Sequence, residues 1–261
     1  MFERQVDEKK LKLSGFNNLT KVLSFNLYDF CLTLSENQKN DYVNFIHGKY
    51  NANKITEISK KICNLIDATV LSISKQDYDP VGASTMVLMS DLKGGGWDEP
   101  KEGGTTVSMH LDKSHVCAHT YPDAGDPNGI CSFRVDIDIA TCGDIIPLSA
   151  MNLLFESFEC DVVVIDYVVR GYTRLTDGTK IYNDNKIESI QEFIKPEILK
   201  NYELKEDTNL PLVNTWQTKL MIKDFGPERY LYDPKDSGHP EIGKKMDRLR
   251  SEMKEVFHQI N

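Results

Sequence analysis

The stretch Cys131-Ser-Phe-Arg-Val-Asp-Ile-Asp-Ile139 alternates apolar and polar side chains along its whole length. Successive side chains of a β-strand point to opposite faces of the sheet, so this period of two predicts a strand with one buried face. It is the clearest strand pattern in the chain. A half-buried β-sheet is therefore expected in the middle of the sequence.

Further β-rich stretches lie on both sides of this strand, at residues 69–74, 84–89, 105–111, 115–120 and 161–172. Apolar side chains with helical spacing occur at residues 55–65, 151–158 and 242–260. The last of these segments predicts an apolar helix stripe of Ile242, Met246, Leu249, Met253, Val256 and Ile260. Runs of strands with a few helices predict an α+β protein, an α/β sandwich with a mostly antiparallel sheet.

The composition is that of an ordinary globular protein of 261 residues, with 40% apolar and 9% aromatic residues. This length suits one large domain or two small ones. No apolar run approaches the roughly 18 residues that a membrane span needs, and the first ten residues carry acids and no apolar signal-peptide region. We therefore expect a cytoplasmic protein with no membrane partner.

The net charge and the spacing of the cysteines argue against some classes of partner and site. A net charge of -9 argues against nucleic acid, because phosphate binding depends on clustered Lys and Arg. The six cysteines form no CxxC pair, a poor match to structural zinc, and they are too sparse for a disulfide scaffold. We predict that they are reduced thiols in a protein with a metabolic role.

Reactive side chains concentrate in the segment HLDKSHVCAHT, residues 110–120, which holds three of the six histidines and a cysteine around one serine. If its second half is a strand, His115, Cys117 and His119 share one face, which points away from the helix-covered core. Ser114 has the opposite parity, so a regular strand turns its hydroxyl away from His119. A turn or bulge at residues 113–114 would have to re-aim it.

Residue types alone leave three interpretations of this segment open. His115, Cys117 and His119 could ligate zinc, although the sequence offers no fourth ligand nearby. Cys117 or Ser114 could be a hydrolase nucleophile with a histidine as its base, although no GxSxG motif accompanies them. The histidines and Cys117 could also be structural, which explains any one residue well and the cluster poorly.

Several strings resemble those of a known family. LDKSHVCAHTYP at residues 111–122 and TCGDIIPLSAMN at residues 141–152 look like the signature of prokaryotic S-adenosylmethionine decarboxylases, pyruvoyl enzymes of polyamine synthesis. The strings GFNNLTK (15–21), YNANKITEI (50–58) and QDYDPVGAS (76–84) are similar to the longer, enterobacterial type of that family. The resemblance covers nearly the whole chain, and it implies a single domain over residues 1–261.

The resemblance implies that the chain is a proenzyme that cuts itself between Lys113 and Ser114. The Ser114 hydroxyl would attack the Lys113 carbonyl and convert the amide into an ester. His119 matches the family's processing histidine, which would act as the base and help to eliminate the ester. Loss of ammonia then leaves a pyruvoyl group in place of Ser114 at the head of an α chain, residues 114–261, while residues 1–113 become the β chain.

The same resemblance implies how turnover proceeds. The pyruvoyl group made from Ser114 would bind the substrate amine as a Schiff base and accept the electrons released as CO2 leaves. Cys142 matches the family's proton donor, and a thiol of ordinary pKa is largely protonated at neutral pH, as a donor must be. No residue pattern predicts a metal site, whereas stimulation by Mg2+ is an expectation from the family type.

Other positions match the family only in part. Ser84 and Thr106 compete for the place of a processing serine or threonine of shorter relatives, because an insertion between them makes the match ambiguous. His115 and Cys117 have no assigned family role, and for His110 nothing beyond proximity is predicted. The substrate needs an aromatic platform for adenine and an acid for the ribose, for which the candidates are Phe25, Tyr28 and Asp29.

The family implies S-adenosylmethionine as substrate and its decarboxylated form, the aminopropyl donor for spermidine, as product. The family fold is a two-layer sandwich with helices on one face of the sheet and with sheets of paired protomers stacked. By analogy we expect a homo-oligomer of αβ pairs, a tetramer of heterodimers. Because the fold does not fix the substrate, a pyruvoyl-dependent ornithine or arginine decarboxylase is the alternative, and a non-enzymatic binding protein or zinc module the next.

Overall fold

The computed structural model describes residues 16–90, 114–142, 145–175, 177–184 and 186–260, with side chains from residue 18 onward. Within these residues the helices are α1 (Glu36–Tyr50), α2 (Ala52–Leu65), α3 (Met151–Ser157), α4 (Pro196–Leu199), α5 (Pro227–Tyr230) and α6 (Ile242–His258). Four short 3-10 helices connect other elements, at Pro147–Ala150, Ile190–Phe193, Pro211–Val213 and Pro234–Gly238.

The strands are β1 (Phe16–Asn17), β2 (Thr20–Leu32), β3 (Thr69–Asp77), β4 (Ala83–Ser90), β5 (His115–Asp123), β6 (Ile130–Cys142), β7 (Val162–Arg170), β8 (Thr173–Arg174), β9 (Lys180–Ile181), β10 (Tyr202–Leu210) and β11 (Thr215–Ile222). Eight of them form one antiparallel sheet in the order β10-β11-β7-β2-β6-β5-β4-β3. The three shortest, β1, β8 and β9, form a separate small sheet. The predicted α+β class with a mostly antiparallel sheet is confirmed.

Strand β6 lies near the centre of the large sheet and contains the alternating stretch that predicted it. Over residues 132–139 its apolar side chains are buried and its polar ones are exposed or half-buried, as the period of two requires. It pairs with β2 along the full length of both strands, from Thr20 opposite Cys142 to Leu32 opposite Ile130. The end of β6 that carries Cys142 is thus held by the first residues of β2.

One face of the sheet, here called the inner face, is covered by helices α1, α2 and α3. Tyr50 of α1 stacks on Phe133 of β6 with ring centroids 4.8 Å apart. Phe155 of α3 meets Phe25 of β2 edge-on at 5.1 Å. On β4, β5 and β6 the alternate side chains, which point to the opposite or outer face, are half-buried or exposed for the most part. The core therefore lies between the inner face and these helices.

Helix α6 packs on the part of the sheet that is formed by β2, β7 and β11. Its Phe257 carbonyl accepts a hydrogen bond from Lys219 of β11 at 3.3 Å, and Lys219 pairs with Val164 of β7. Val164 has the opposite parity to Ile165, which pairs with the inner-face residue Phe25. Helix α6 therefore adds a cover on the outer face at this end of the sheet.

The stripe predicted for α6 is confirmed as far as Met253 and wrong beyond it. Phe257 is the last buried residue of the helix, Val256 is half-buried, and Ile260 is 65% exposed. The reason is that Gln259 adopts a left-handed backbone with φ 56° and ends the helix before Ile260. Phe257, four residues after Met253, therefore occupies the position on the buried face that the prediction gave to Val256.

None of the helices in the described part of the chain is long and apolar enough to cross a lipid bilayer. All six cysteines fall within the described residues, and none of them forms a disulfide. The packing of the sheet and its helices therefore holds the fold together without covalent crosslinks.

A buried ion pair links β2, β7 and α5. The carboxylate of Asp161 has a fully buried side chain and accepts hydrogen bonds from the Phe30 amide at 2.9 Å, from the Tyr230 hydroxyl at 3.2 Å and from the Arg229 guanidinium at 2.9 Å. Burial raises the pKa of Asp161, while the Arg229 charge opposes that rise. Removing this carboxylate would leave the Arg229 guanidinium and the Phe30 amide without this acceptor, whereas the Tyr230 hydroxyl also meets the Asp224 carbonyl at 3.2 Å.

We predict that Asp161→Ala lowers the free energy of unfolding by about 3–5 kcal/mol, because it breaks a buried, hydrogen-bonded charge pair. The matched control is Lys195→Met, which breaks an ion pair between Lys195 and Glu156 whose side chains are both 54% exposed. That loss should stay below about 1 kcal/mol. Urea unfolding followed by circular dichroism measures both variants. Equal losses would contradict the role given to Asp161.

Candidate active site

Ser114 stands immediately before β5 and is fully buried, with the parity of the inner-face residue Val116. Its carbonyl accepts a hydrogen bond from the Met89 amide at 3.0 Å. Its Oγ accepts one from the Cys142 amide at 3.1 Å. Ser114 is therefore fixed between the ends of β4 and β6. The Cys142 amide occupies one lone pair of the Ser114 hydroxyl oxygen.

The structure thus brings together two of the predicted site residues, which are separated by 28 positions in the sequence. Cys142 is the last residue of β6 and is half-buried. Just before it, the Thr141 hydroxyl donates a hydrogen bond to the Ile145 carbonyl at 3.4 Å. The main chain of Cys142 and the hydroxyl of Ser114 are therefore in direct contact.

His119 lies elsewhere. It belongs to the outer face of β5, opposite Ser84 of β4 and Asp136 of β6, and its Nδ1 is 3.2 Å from the Tyr78 hydroxyl. Five residues of regular strand separate it from Ser114, roughly 16 Å at the usual rise. The register is unbroken from His115 onward, so within β5 no bulge re-aims the chain. Within one chain, the third predicted site residue does not approach the other two.

The polar face predicted for residues 115–120 is confirmed: His115, Cys117 and His119 are half-buried on the outer face, and Val116 and Ala118 are buried. Burial raises the pKa of the Cys117 thiol, and the charge of Asp138 raises it further. No cluster of three His, Cys, Asp or Glu side chains within the described ranges is arranged to hold a metal ion. The zinc interpretation therefore gains no support from this face.

The other candidate residues also lie away from Ser114 or outside the described residues. Ser84 is directly opposite His119 across β4 and β5. Phe25 is fully buried in the core, so it offers no platform to a ligand. Asp29 lies nine residues along β2 from the partner of Cys142, roughly 30 Å away at the usual rise. The candidates Thr106, His110 and Lys113 lie outside the described residues.

Tyr28 and Asp29 are at the far end of β2, where a separate cavity of about 360 Å³ is lined by Asp29, Tyr42 and Arg229 among others. Burial raises the pKa of Asp29 well above its usual range, and the charge of Asp161 adds to the effect. Because Asp29 also lies roughly 30 Å along β2 from the partner of Cys142, it is a poor candidate for binding the ribose hydroxyls of a substrate at Ser114. These two substrate-binding predictions therefore find no support in the geometry.

A second cavity, of about 550 Å³, lies beside Lys21, near the start of β2. Two of its lining residues, Lys21 and Asp184, form an ion pair at 3.6 Å, and Lys21 is only 1% exposed. Neither residue is among the site residues predicted from the sequence. A signal existed, because Lys21 has the same parity as the buried Leu23 and Phe25 and is therefore a cation on the apolar face of a strand.

The site combines a buried hydroxyl, a main-chain N–H donor and a thiol at the ends of neighbouring strands. A buried serine hydroxyl can act as a nucleophile once a base removes its proton. The amide of Cys142 can stabilise negative charge that develops close to Ser114. The arrangement is suited to acyl transfer at the peptide bond that precedes Ser114.

Comparison with known proteins gives one consistent result. A family model described as S-adenosylmethionine decarboxylase matches residues 49–171. The S-adenosylmethionine decarboxylase proenzyme of Chromohalobacter salexigens is 44% identical over 259 residues, which cover 96% of this chain and 98% of that protein. The proenzyme of the same name from Clostridium beijerinckii is 45% identical over 270 residues, covering 97% and 98%.

Among solved structures, the adenosylmethionine decarboxylase from Aquifex aeolicus covers 65% of this chain and 98% of its own, with 16% identity and a TM-score of 0.34. The sequence similarity to the bacterial proenzymes extends over nearly the full length of both partners. The family-model match over residues 49–171 includes Ser114 and Cys142.

Proposed function

This chain belongs to the S-adenosylmethionine decarboxylase family, and from that premise we propose that it removes CO2 from S-adenosylmethionine with a pyruvoyl group made from its own Ser114. The observation that carries the proposal is the 3.1 Å contact between the Cys142 amide and the Ser114 Oγ. It joins the residue that matches the family's cofactor precursor to the residue that matches its proton donor. The product is decarboxylated S-adenosylmethionine.

Self-processing begins at the Ser114 hydroxyl. The Ser114 Oγ forms a bond to the Lys113 carbonyl carbon, the bond from that carbon to the Ser114 nitrogen breaks, and the hydroxyl proton ends on the nitrogen. The Cys142 N–H lies at the attacking oxygen and can stabilise charge there. Loss of the Ser114 α-proton then expels the ester as the carboxylate of residues 1–113. Water finally replaces the nitrogen, which leaves as ammonia.

The residues around Ser114 fit the pyruvoyl group that this sequence of steps would leave. Position 114 is fully buried, so bulk water has little access to a reactive carbonyl there. When formed, the group supplies an electron sink for decarboxylation. Cys142, half-buried at the adjacent strand end, would deliver a proton from its thiol to the α-carbon of the substrate. Its position beside Ser114 supports this role.

His119 keeps the processing role that the family resemblance implies, as the base for the Ser114 proton. We predict that His119→Gln slows self-cleavage by about 100-fold or more, since a general base typically contributes that much. Pulse-chase labelling and gel electrophoresis measure the rate. His239→Gln, a change at an exposed histidine, is the control and should leave the rate unchanged. Cleavage of the His119→Gln protein at the normal rate would remove His119 from the processing machinery.

Ser114 and His119 of one chain lie on opposite faces of the sheet, so a processing role for His119 has to explain how the two groups meet. His119 faces the outer side of the sheet, where Met86 and Tyr121 are 49% and 44% exposed. Exposed apolar side chains on an open sheet face are suited to a protein contact. We therefore propose that this face packs against the sheet of a second protomer, within a homo-oligomer of αβ pairs. Stimulation by Mg2+ and a cytoplasmic location remain predictions from the family and the composition.

The substrate is tested by measuring CO2 release from S-adenosylmethionine, ornithine and arginine in parallel. We expect release from S-adenosylmethionine alone. Release from ornithine or arginine in its place would establish the alternative, a pyruvoyl-dependent amino acid decarboxylase on the same fold. Absence of release from all three, with an intact chain, would favour a protein that is not an enzyme.

A further inference from the structure

The ring of His119 has a hydrogen-bond partner in a distant part of the sequence. Its Nδ1 lies 3.2 Å from the hydroxyl oxygen of Tyr78, 41 positions earlier in the chain. Asp136 faces His119 across β5 and β6, but its carboxylate accepts hydrogen bonds from the Arg134 guanidinium at 2.9 and 2.7 Å. Within the described residues, the group that bonds to a nitrogen of the His119 ring is therefore the Tyr78 hydroxyl.

The position of Tyr78 is set by the turn between β3 and β4. Its amide donates a hydrogen bond to the Gly82 carbonyl at 2.8 Å, which closes the turn. Gly82 has a left-handed backbone with φ 109°. A Cβ at this position would lie 2.7 Å from the Thr120 carbonyl oxygen and 3.1 Å from the Tyr78 ring, so only glycine fits. The turn therefore rests on β5 beside His119, and main-chain contacts fix the place of the Tyr78 ring.

The hydrogen bond at Nδ1 decides what the other ring nitrogen, Nε2, can do. A neutral imidazole carries one proton, so one nitrogen donates a hydrogen bond and the other accepts one. A tyrosine hydroxyl can be the donor or the acceptor. If Nδ1–H of His119 donates to Tyr78, the lone pair of Nε2 is free to accept a proton, as a general base requires. If Tyr78 donates instead, Nε2 carries the proton and cannot act as the base.

We propose that Tyr78 is a positioning residue, which accepts a hydrogen bond from Nδ1–H of His119 and thereby leaves Nε2 as the base of self-processing. This inference rests on the proposed function, because it takes His119 to be the processing base. Tyr78 is half-buried, so its own hydroxyl proton can bond to water and does not need the imidazole as its acceptor. Because Nδ1 is tied to a turn of the same chain, Nε2 is the nitrogen that receives the Ser114 proton when the two groups meet.

The tautomer is measured by nitrogen NMR on the uncut Ser114→Ala protein, labelled in the histidine rings only, in weakly alkaline solution where an ordinary imidazole is neutral. The His119 signals are those that disappear when His119→Gln is added. We expect the proton on Nδ1. His239 supplies the opposite reference, because its Nδ1 accepts a hydrogen bond from the Glu241 amide at 3.3 Å and its proton must be on Nε2. Adding Tyr78→Phe should move the His119 proton to Nε2, the position that an isolated imidazole side chain favours.

The rate of self-cleavage supplies a second measurement. Tyr78→Phe should slow cleavage by about tenfold, the effect of one lost hydrogen bond, because phenylalanine keeps the ring and removes only the hydroxyl. The matched control is Tyr182→Phe, at a tyrosine that is 55% exposed, and it should cleave at the wild-type rate. Added to His119→Gln, Tyr78→Phe should cause no further slowing, because the hydroxyl acts through the imidazole. A structural role alone would slow cleavage in both backgrounds and leave the tautomer unchanged.

A His119 ring with its proton on Nε2 in the protein that retains Tyr78 would overturn the inference, and so would normal cleavage of Tyr78→Phe. If His119→Gln is slow and Tyr78→Phe is normal, the processing base stands and the role of Tyr78 falls. If His119→Gln also cleaves at the normal rate, both fall. CO2 release from S-adenosylmethionine by the cleaved wild-type protein tests the proposed decarboxylation separately, because that step follows cleavage.

Discussion

Ser114→Ala is expected to accumulate as one uncut polypeptide of 261 residues with no decarboxylase activity. Alanine has no oxygen to attack the Lys113 carbonyl, so neither the ester nor the pyruvoyl group can form. The loss should be complete, because the same residue is needed to make the cofactor and to carry it. Gel electrophoresis and CO2 release measure the two effects on one preparation.

The matched control for this change is Ser149→Ala, which removes an exposed hydroxyl from the 3-10 helix that follows Cys142. That protein should cleave and turn over normally. Because Ser114 is buried, the folding of the Ser114→Ala variant is checked by its thermal midpoint, which should stay close to that of the wild-type protein. Two chains from a well-folded Ser114→Ala protein would mean that the cut lies elsewhere.

Cys142→Ala is expected to lower the turnover of the cleaved enzyme by about 100-fold or more, while self-cleavage still goes to completion. The two effects separate because the contact to Ser114 comes from the Cys142 main-chain amide, which alanine retains. Only the thiol that would return a proton to the substrate is lost. Single-turnover CO2 release and the fraction of cleaved chain measure the two steps independently.

Cys117→Ala provides a thiol control on the neighbouring strand. Cys117 is half-buried on the outer face and has no part in the proposed chemistry, so that variant should turn over at the wild-type rate. Unchanged turnover in Cys142→Ala would remove Cys142 as the proton donor. Loss of cleavage together with turnover would show instead that the side chain, and not the amide alone, supports Ser114.

Burial follows a simple period in two of the elements that the sequence predicted. Strand β6 and the first three turns of α6 have this property, and both are confirmed. Strand β2 was missed, although it is central, because inward-facing Lys21 and Asp29 interrupt its apolar alternation. Strand β10, with the sequence YELKEDTNL, was missed because most of its residues are charged or polar, and its pairing with β11 places it in the sheet.

In the candidate site, too, some residues could be predicted from the sequence and others could not. Ser114 and Cys142 could be singled out because they stand in strings that resemble a known family, and the structure adds that the two strand ends meet. Lys21 and Asp184 could not be paired from the sequence, since their contact depends on how the segment after β9 folds back over β2. The outer-face position of His119 follows from strand parity, which the sequence did predict.

The measurement that tests the central claim most directly is the intact mass of the purified protein under denaturing conditions. The account predicts two chains, one ending at Lys113 and the other beginning at position 114 with a pyruvoyl group. The second should be lighter than a fragment that begins with serine by the mass of one ammonia molecule. A single uncut chain, or a fragment that begins with an unmodified Ser114, would contradict it.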